Sequence, residues 1–184
     1  MKKILLVAVI ALLFAASLAY GQSGTGTTTV SVTVAAEAAL TVNTGTTTLT
    51  TTGFFANYTG TTNLTYYIRT TQTTGTGSIV LQVTSDFGGV GCSGGPCVGT
   101  PPSAGDALTY SCTVSNPGNN GTATPCTAPV TAKTSAQTNV ALFGADNRSL
   151  VGGNTGSVSW ALTDDPKYKT GTYTATVTFT ISAS

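Results

Sequence analysis

The stretch Gly171-Thr-Tyr-Thr-Ala-Thr-Val-Thr-Phe-Thr-Ile181 decides how this chain folds. Tyr173, Ala175, Val177, Phe179 and Ile181 fall at every second position, with Thr174, Thr176, Thr178 and Thr180 between them. A pleated strand turns alternate side chains to opposite faces, so the apolar groups share one face and the hydroxyls the other. The pattern predicts a core strand of an antiparallel sheet that is solvated on one side.

The same period of two recurs upstream. Leu64, Tyr66 and Ile68 alternate, as do Ile79, Leu81 and Val83, and the glycines Gly75 and Gly77 between them predict a β-hairpin. Further alternating runs are Leu108-Tyr110-Cys112-Val114, Val140-Leu142 and Val158-Trp160-Leu162. Asn, Gly and Pro clusters separate the runs, as turns require. Thr, which is β-branched and favours strands, supplies most of the polar surface, while the helix formers Glu, Lys, Gln and Arg are scarce. The pattern predicts an all-β fold: an immunoglobulin-like β-sandwich with Greek-key connections and about seven to nine short antiparallel strands. Residues 35–39 are Ala-rich and are the one place where a helical turn competes. Residues 46–52, almost pure Thr around Leu49, suit a weak edge strand or a loop, and Asn57 to Asn63 interrupts the pattern.

At the other end of the chain, Lys2 and Lys3 precede an apolar run from Ile4 to Leu18, followed by small residues around Ala19 and Gly21. These are the parts of a secretory signal peptide, assigned to residues 1–21, and the run is short for a membrane span. Residues 22–29 then form a flexible Gly/Ser/Thr lead. Val30, Val32 and Val34 alternate with Ser31 and Thr33 and predict the first strand. About 160 residues remain after cleavage, which suits one domain, placed at 30–184 with a Gly/Pro/Cys-rich excursion at 88–105.

Cys92, Cys97, Cys112 and Cys126 form an even set in a chain expected to be exported, so disulfides are the natural reading. Three connectivities are open. Pairing Cys92 with Cys97 and Cys112 with Cys126 is favoured because each pair brackets a turn, Ser93-Gly-Gly-Pro96 in one and Asn116-Pro-Gly-Asn-Asn-Gly121 in the other. Zinc is disfavoured, since the chain has no His to complete a Cys set.

The same lack of His removes Ser-His and Cys-His nucleophile pairs, and paired cysteines leave no thiolate. Asp164 and Asp165 are adjacent, so in a strand they would face opposite ways and could not flank a glycosidic bond; beside Pro166 they mark a turn. No loop shows the dense oxygen ligands of a calcium site. The expected protein is not an enzyme and carries no metal or cofactor. Arg69, Lys133, Arg148, Lys167 and Lys169 stand against Glu37, Asp86, Asp106, Asp146, Asp164 and Asp165, a balance without the basic surface that nucleic acid or anionic lipid requires. Neither nucleic acid nor, after signal cleavage, a membrane is expected as partner.

Trp160, between Val158 and Leu162, is expected in the core. Tyr67 and Tyr168 lie off the apolar stripes and, with Phe55, are candidates for stacking against a glycan. Asn57, Asn63, Asn120 and Asn147 each begin an Asn-x-Ser/Thr triplet and are expected in accessible turns.

Three features together, Val30-Ser-Val-Thr-Val34, Leu64 to Val83 as a central hairpin and the closing Gly171-Thr-Tyr strand, resemble subunits of bacterial chaperone-usher fimbriae, including the spore coat U-like group. Domains of that family close on a Gly-x-Tyr strand. The mid-chain cysteines differ from the disulfide many such pilins carry near their start. The resemblance implies an incomplete immunoglobulin-like sandwich completed by a neighbour's N-terminal strand, hence a structural fibre or coat subunit on a bacterial surface, handled by a periplasmic chaperone. Val30, Val32 and Val34 are then the candidate exchanging strand, against the simpler reading that they form the chain's own first strand. The alternative function is a secreted carbohydrate-binding or adhesive module.

Overall fold

The computed structural model describes residues 25–88, 92–126 and 129–184. The expected signal peptide, residues 1–21, and residues 22–24 of the expected lead lie outside them. The described residues form nine strands: β1 (Glu37–Val42), β2 (Tyr58–Arg69), β3 (Gly77–Ser85), β4 (Leu108–Val114), β5 (Ala123–Pro125), β6 (Val130–Thr131), β7 (Thr138–Phe143), β8 (Asn154–Leu162) and β9 (Thr176–Ala183). All pairings are antiparallel, and the described residues contain no helix. One sheet has the order β1-β2-β8-β4-β6 and the other β5-β7-β3-β9. The molecule is thus an all-β, two-sheet sandwich. Residues Val34–Ser184 form one compact unit.

Alternation places the core as expected except in β7, where Leu142, read as sharing a face with Val140, is 45% exposed and Ala141 and Phe143 are buried instead. Leu64, Tyr66 and Ile68 from β2, Leu108 and Tyr110 from β4, and Val158, Trp160 and Leu162 from β8 face Ile79, Leu81 and Val83 of β3 and Val140 and Phe143 of β7. Burying each such side chain contributes about 1.5 to 3 kcal/mol. Two tyrosines tie their polar ends to backbone carbonyls: Tyr66 donates to Ser115 at 2.5 Å and Tyr110 to Asn139 at 2.9 Å. Tyr66 also stacks obliquely on Phe143 of the opposite sheet, with ring centres 5.1 Å apart.

The disulfides are Cys92–Cys97 and Cys112–Cys126, the favoured pairing. The second joins β4 of one sheet to the residue following β5 of the other. The first closes a small loop inside the 88–105 excursion, whose described residues form no strand.

Four local expectations need correction. β2 and β3 do not form a hairpin, because they belong to different sheets. The chain turns a corner between them, and Gly77 lies so close under Ile68 that a Cβ there would come within 2.5 Å of the isoleucine Cδ1. β2 also begins at Tyr58, through the segment expected to interrupt it, because β8 supplies a full ladder from Tyr58↔Leu162 to Tyr66↔Asn154.

The first strand is Glu37–Val42, within and beyond the Ala-rich patch, and not residues 30–34. Its start is fixed by Arg69, which forms a 2.8 Å ion pair with Glu37 and donates from Nε to the Ala35 carbonyl at 2.8 Å. Val30, Val32 and Val34 belong to no strand and are 90%, 85% and 61% exposed.

The closing strand starts at Thr176, five residues later than expected, and lies at a sheet edge. Its apolar face is only half-buried: Val177, Phe179 and Ile181 all retain exposure. The alternation is as read, but the position at the edge leaves that face incompletely covered.

Candidate functional site

The two terminal strands each form an edge, β1 in one sheet and β9 in the other. β1 ends at Val42, opposite Leu64, so the first half of β2 has no strand partner on that side beyond the single Thr50↔Thr59 bridge. The chain between is a Thr-rich loop. Below the end of β1 the two sheets therefore leave a groove of about 1010 Å³. Its floor includes Leu108, Trp160 and Leu162, one wall is Leu49 with its neighbouring threonines, and the other is the segment from Tyr173 to Phe179.

Hydrogen bonds hold the loop wall in place. The Thr47 and Thr62 hydroxyls lie 2.6 Å apart, and Trp160 donates to Thr62 at 2.8 Å. The Thr44 hydroxyl accepts from the Asn63 amide at 3.0 Å. Further along, the Thr51 hydroxyl lies within hydrogen-bond reach of the Gly53 and Ala56 carbonyls, at 2.9 and 2.8 Å, with one proton to donate to either, in a tight turn where Phe55 takes a φ of 51°. That left-handed conformation is costly for an aromatic residue, and it leaves Phe55 66% exposed at the groove's rim.

The opposite wall is pinned by the Cys92–Cys97 loop. Lys169 donates its amide to the Gly94 carbonyl at 2.8 Å, and the Tyr173 hydroxyl donates to the Lys169 carbonyl at 2.8 Å. Gly95 lets the Tyr173 ring lie close against it: a Cβ there would stand 2.1 Å from the ring, so a larger residue would require that ring to shift. Asp86 organises the same loop by accepting the amides of Phe87, Val98 and Gly99 at 2.8 to 2.9 Å.

The three candidate stacking aromatics do not share one surface. Phe55 and Tyr168 line the groove, whereas Tyr67 is an exposed residue of β2 whose neighbours in the strand, Tyr66 and Ile68, point into the core. Tyr168 is half-buried, and its hydroxyl donates to Asp106 at 3.4 Å. Burial raises the Tyr168 pKa, and the nearby charges of Asp106, Asp165 and Asp164 raise it further. Trp160 is a core residue, packed at 5.5 Å against Tyr110.

Among the described residues, one group has the composition of a metal site: Asp86 with Cys92 and Cys97. Both sulfurs are consumed in a disulfide and are not thiolate ligands, while the Asp86 oxygens are occupied by backbone amides. Of the Asn-x-Ser/Thr triplets, Asn57, Asn63 and Asn120 are exposed, but Asn147 is 1% exposed and is a structural residue, contrary to expectation.

The sequence did not reveal the groove, because its walls come from residues more than a hundred positions apart. The available signal was the break after Val42 set beside the Thr run. No helix among the described residues is long and apolar enough to cross a membrane, and the two disulfides are compatible with an oxidising compartment. Comparison with protein-family models, with curated proteins and with solved structures finds no match to this chain.

Proposed function

We propose that this protein is a non-enzymatic structural subunit of a bacterial surface fibre or coat, assembled when residues 30–34 of one copy enter the groove of the next. One observation carries the reading: β9 pairs with β3 alone and keeps a half-buried apolar face beside the groove, while the alternating valines belong to no strand of their own chain. An edge strand of this kind offers unpaired N–H and C=O groups to another chain. Strand addition satisfies them, and the groove supplies sites for every second side chain. Val30, Val32 and Val34 have that period, and each burial contributes about 1.5 to 3 kcal/mol before the entropy of ordering the segment is subtracted.

The immunoglobulin-like, incomplete sandwich implied by the resemblance to chaperone-usher subunits fits this arrangement. The signal-peptide reading and the disulfides support export to the cell surface. An unfilled groove and a bare edge are aggregation hazards before assembly, and shielding them is the part a periplasmic chaperone would play.

The test uses the exported mature chain and a synthetic peptide of residues 27–36. Size-exclusion chromatography and electron microscopy should show self-association of the wild type, loss of it in Val32→Asp, and one-to-one capping by the peptide. A wild-type chain that stays monomeric at high concentration and does not bind the peptide would sink the reading.

A further inference from the structure

The core-facing positions of β2 change character along the strand. Leu64, Tyr66 and Ile68 fill its C-terminal half, whereas the N-terminal half presents Thr62, Gly60 and Tyr58. Gly60 pairs with Trp160 of β8 and brings no side chain of its own to the inner face of the sheet. The loop after β1 lies there instead. A Cβ on Gly60 would come within 2.8 Å of both Leu49 Cδ2 and the Thr48 carbonyl oxygen, and within 3.1 Å of Thr47 Cγ2. Leu49 is half-buried, packs on the core, and is the only apolar side chain between Val42 and Phe54. It therefore supplies, from the loop, the apolar group that β2 omits at this position.

Few other contacts hold the loop. Residues 44–50 follow β2 without joining it as a strand. The Thr44 hydroxyl accepts the Asn63 amide, and the Thr47 hydroxyl meets that of Thr62. A single bridge closes the far end, with the Thr50 amide donating to the Thr59 carbonyl at 2.9 Å and the Thr59 amide to the Thr50 carbonyl at 2.8 Å. A segment tied by one apolar side chain and a few hydrogen bonds at a sheet edge opens at lower free energy than the sandwich on which it rests.

We propose that residues 44–50 are a displaceable strap with Leu49 as an intrachain plug, and that the groove accepts a strand from another copy only when the strap lifts off Gly60. This regulation rests on the groove being an acceptor. The two occupants compete for one place, because a valine of the entering segment can lie against Gly60 only where Leu49 does not. Before assembly, a plug supplied by the chain itself shields part of the apolar floor and occupies the edge of β2, which limits unspecific pairing. The consequence is a weaker apparent affinity, reduced in proportion to the fraction of chains whose strap is open.

The test compares the mature wild-type chain with Leu49→Ala, and uses Leu40→Ala as a control that removes another half-buried leucine, in β1 and outside the groove. Hydrogen exchange in the free proteins is measured first and does not require the groove to accept anything. The Thr50 and Thr59 amides should exchange faster than those of the β4–β8 ladder. Leu49→Ala should speed them by about tenfold, the worth of roughly half a buried leucine, and Leu40→Ala by much less.

The 27–36 peptide is then added. Its affinity should rise about tenfold in Leu49→Ala and stay near the wild-type value in Leu40→Ala. Saturating peptide should speed exchange at Thr50 and Thr59, although it binds beside them, because the strap is displaced. The strap is overturned if those two amides exchange only with global unfolding, if Leu49→Ala does not speed them, or if the peptide binds wild type and Leu49→Ala equally well. Binding to neither chain would instead overturn the acceptor reading on which the plug depends.

Discussion

The indole N–H of Trp160 donates to the Thr62 hydroxyl at 2.8 Å inside the sandwich, on adjacent strands, and the same hydroxyl lies 2.6 Å from that of Thr47. One buried hydroxyl thus satisfies the only tryptophan and anchors the loop that walls the groove.

Replacing Thr62 by Val conserves shape but strands a buried donor, which costs about 1 to 3 kcal/mol. Urea unfolding followed by the fluorescence of Trp160 should show that loss. Thr62→Ser should retain most of the stability, and an equal loss in both variants would point to packing as the cause.

Asn147 supports a second corner. Its side chain donates to the carbonyls of Gly144 and Ala145 at 2.9 and 3.1 Å, and its amide donates to the Thr70 hydroxyl at 2.9 Å. Asn147→Ala should destabilise by about 1 to 3 kcal/mol. In a glycosylating host, mass spectrometry should find no glycan at Asn147, whatever happens at the exposed Asn57, Asn63 and Asn120.

The two disulfides should differ in effect. Closing the longer Cys112–Cys126 loop contributes about 3 kcal/mol in the chain-entropy model, against about 2 kcal/mol for Cys92–Cys97. Paired Cys→Ser variants compared by thermal unfolding should follow that order. Loss of Cys92–Cys97 should in addition speed amide exchange at Lys169, whose N–H is bonded to Gly94 within the closed loop.

The Tyr66 phenol is pushed up to about 12, chiefly by burial, against an opposing contribution from its hydrogen bond to Ser115. Its folded pKa exceeds the unfolded value of about 10, so its contribution to stability is complete below pH ~10 and is lost as pH rises toward the folded pKa. Ultraviolet titration should show a late-ionising tyrosine that is missing in Tyr66→Phe, and the alkaline decline in Tm should be shallower in that variant.

Strands in which one side chain in two is large and apolar were legible because burial demands little more than that period. Leu64-Tyr66-Ile68, Ile79-Leu81-Val83 and Val158-Trp160-Leu162 all lie in the core as read. The disulfide pairing was legible because a turn between two cysteines brings them together locally. Residues 30–34 carry an equally good alternation and form no strand, since the edge beside β2 is taken by a segment with smaller apolar groups that Arg69 pins in register. A periodic pattern states which side chains can share a face. It is silent on which edge accepts them.

The sequence by itself determined an all-β chain, the faces of most strands and the local cysteine staples, because these depend on neighbours a few residues apart. Tertiary structure alone decided that β2 and β3 lie in opposite sheets and that the closing strand occupies an edge beside a groove. Each of these is set by pairings between distant segments, chosen by competition for sheet edges and core volume. The strand from Thr176 to Ala183 is amphipathic by sequence, but that it pairs with β3 alone and keeps its apolar face half-covered at a sheet edge is set by the tertiary structure.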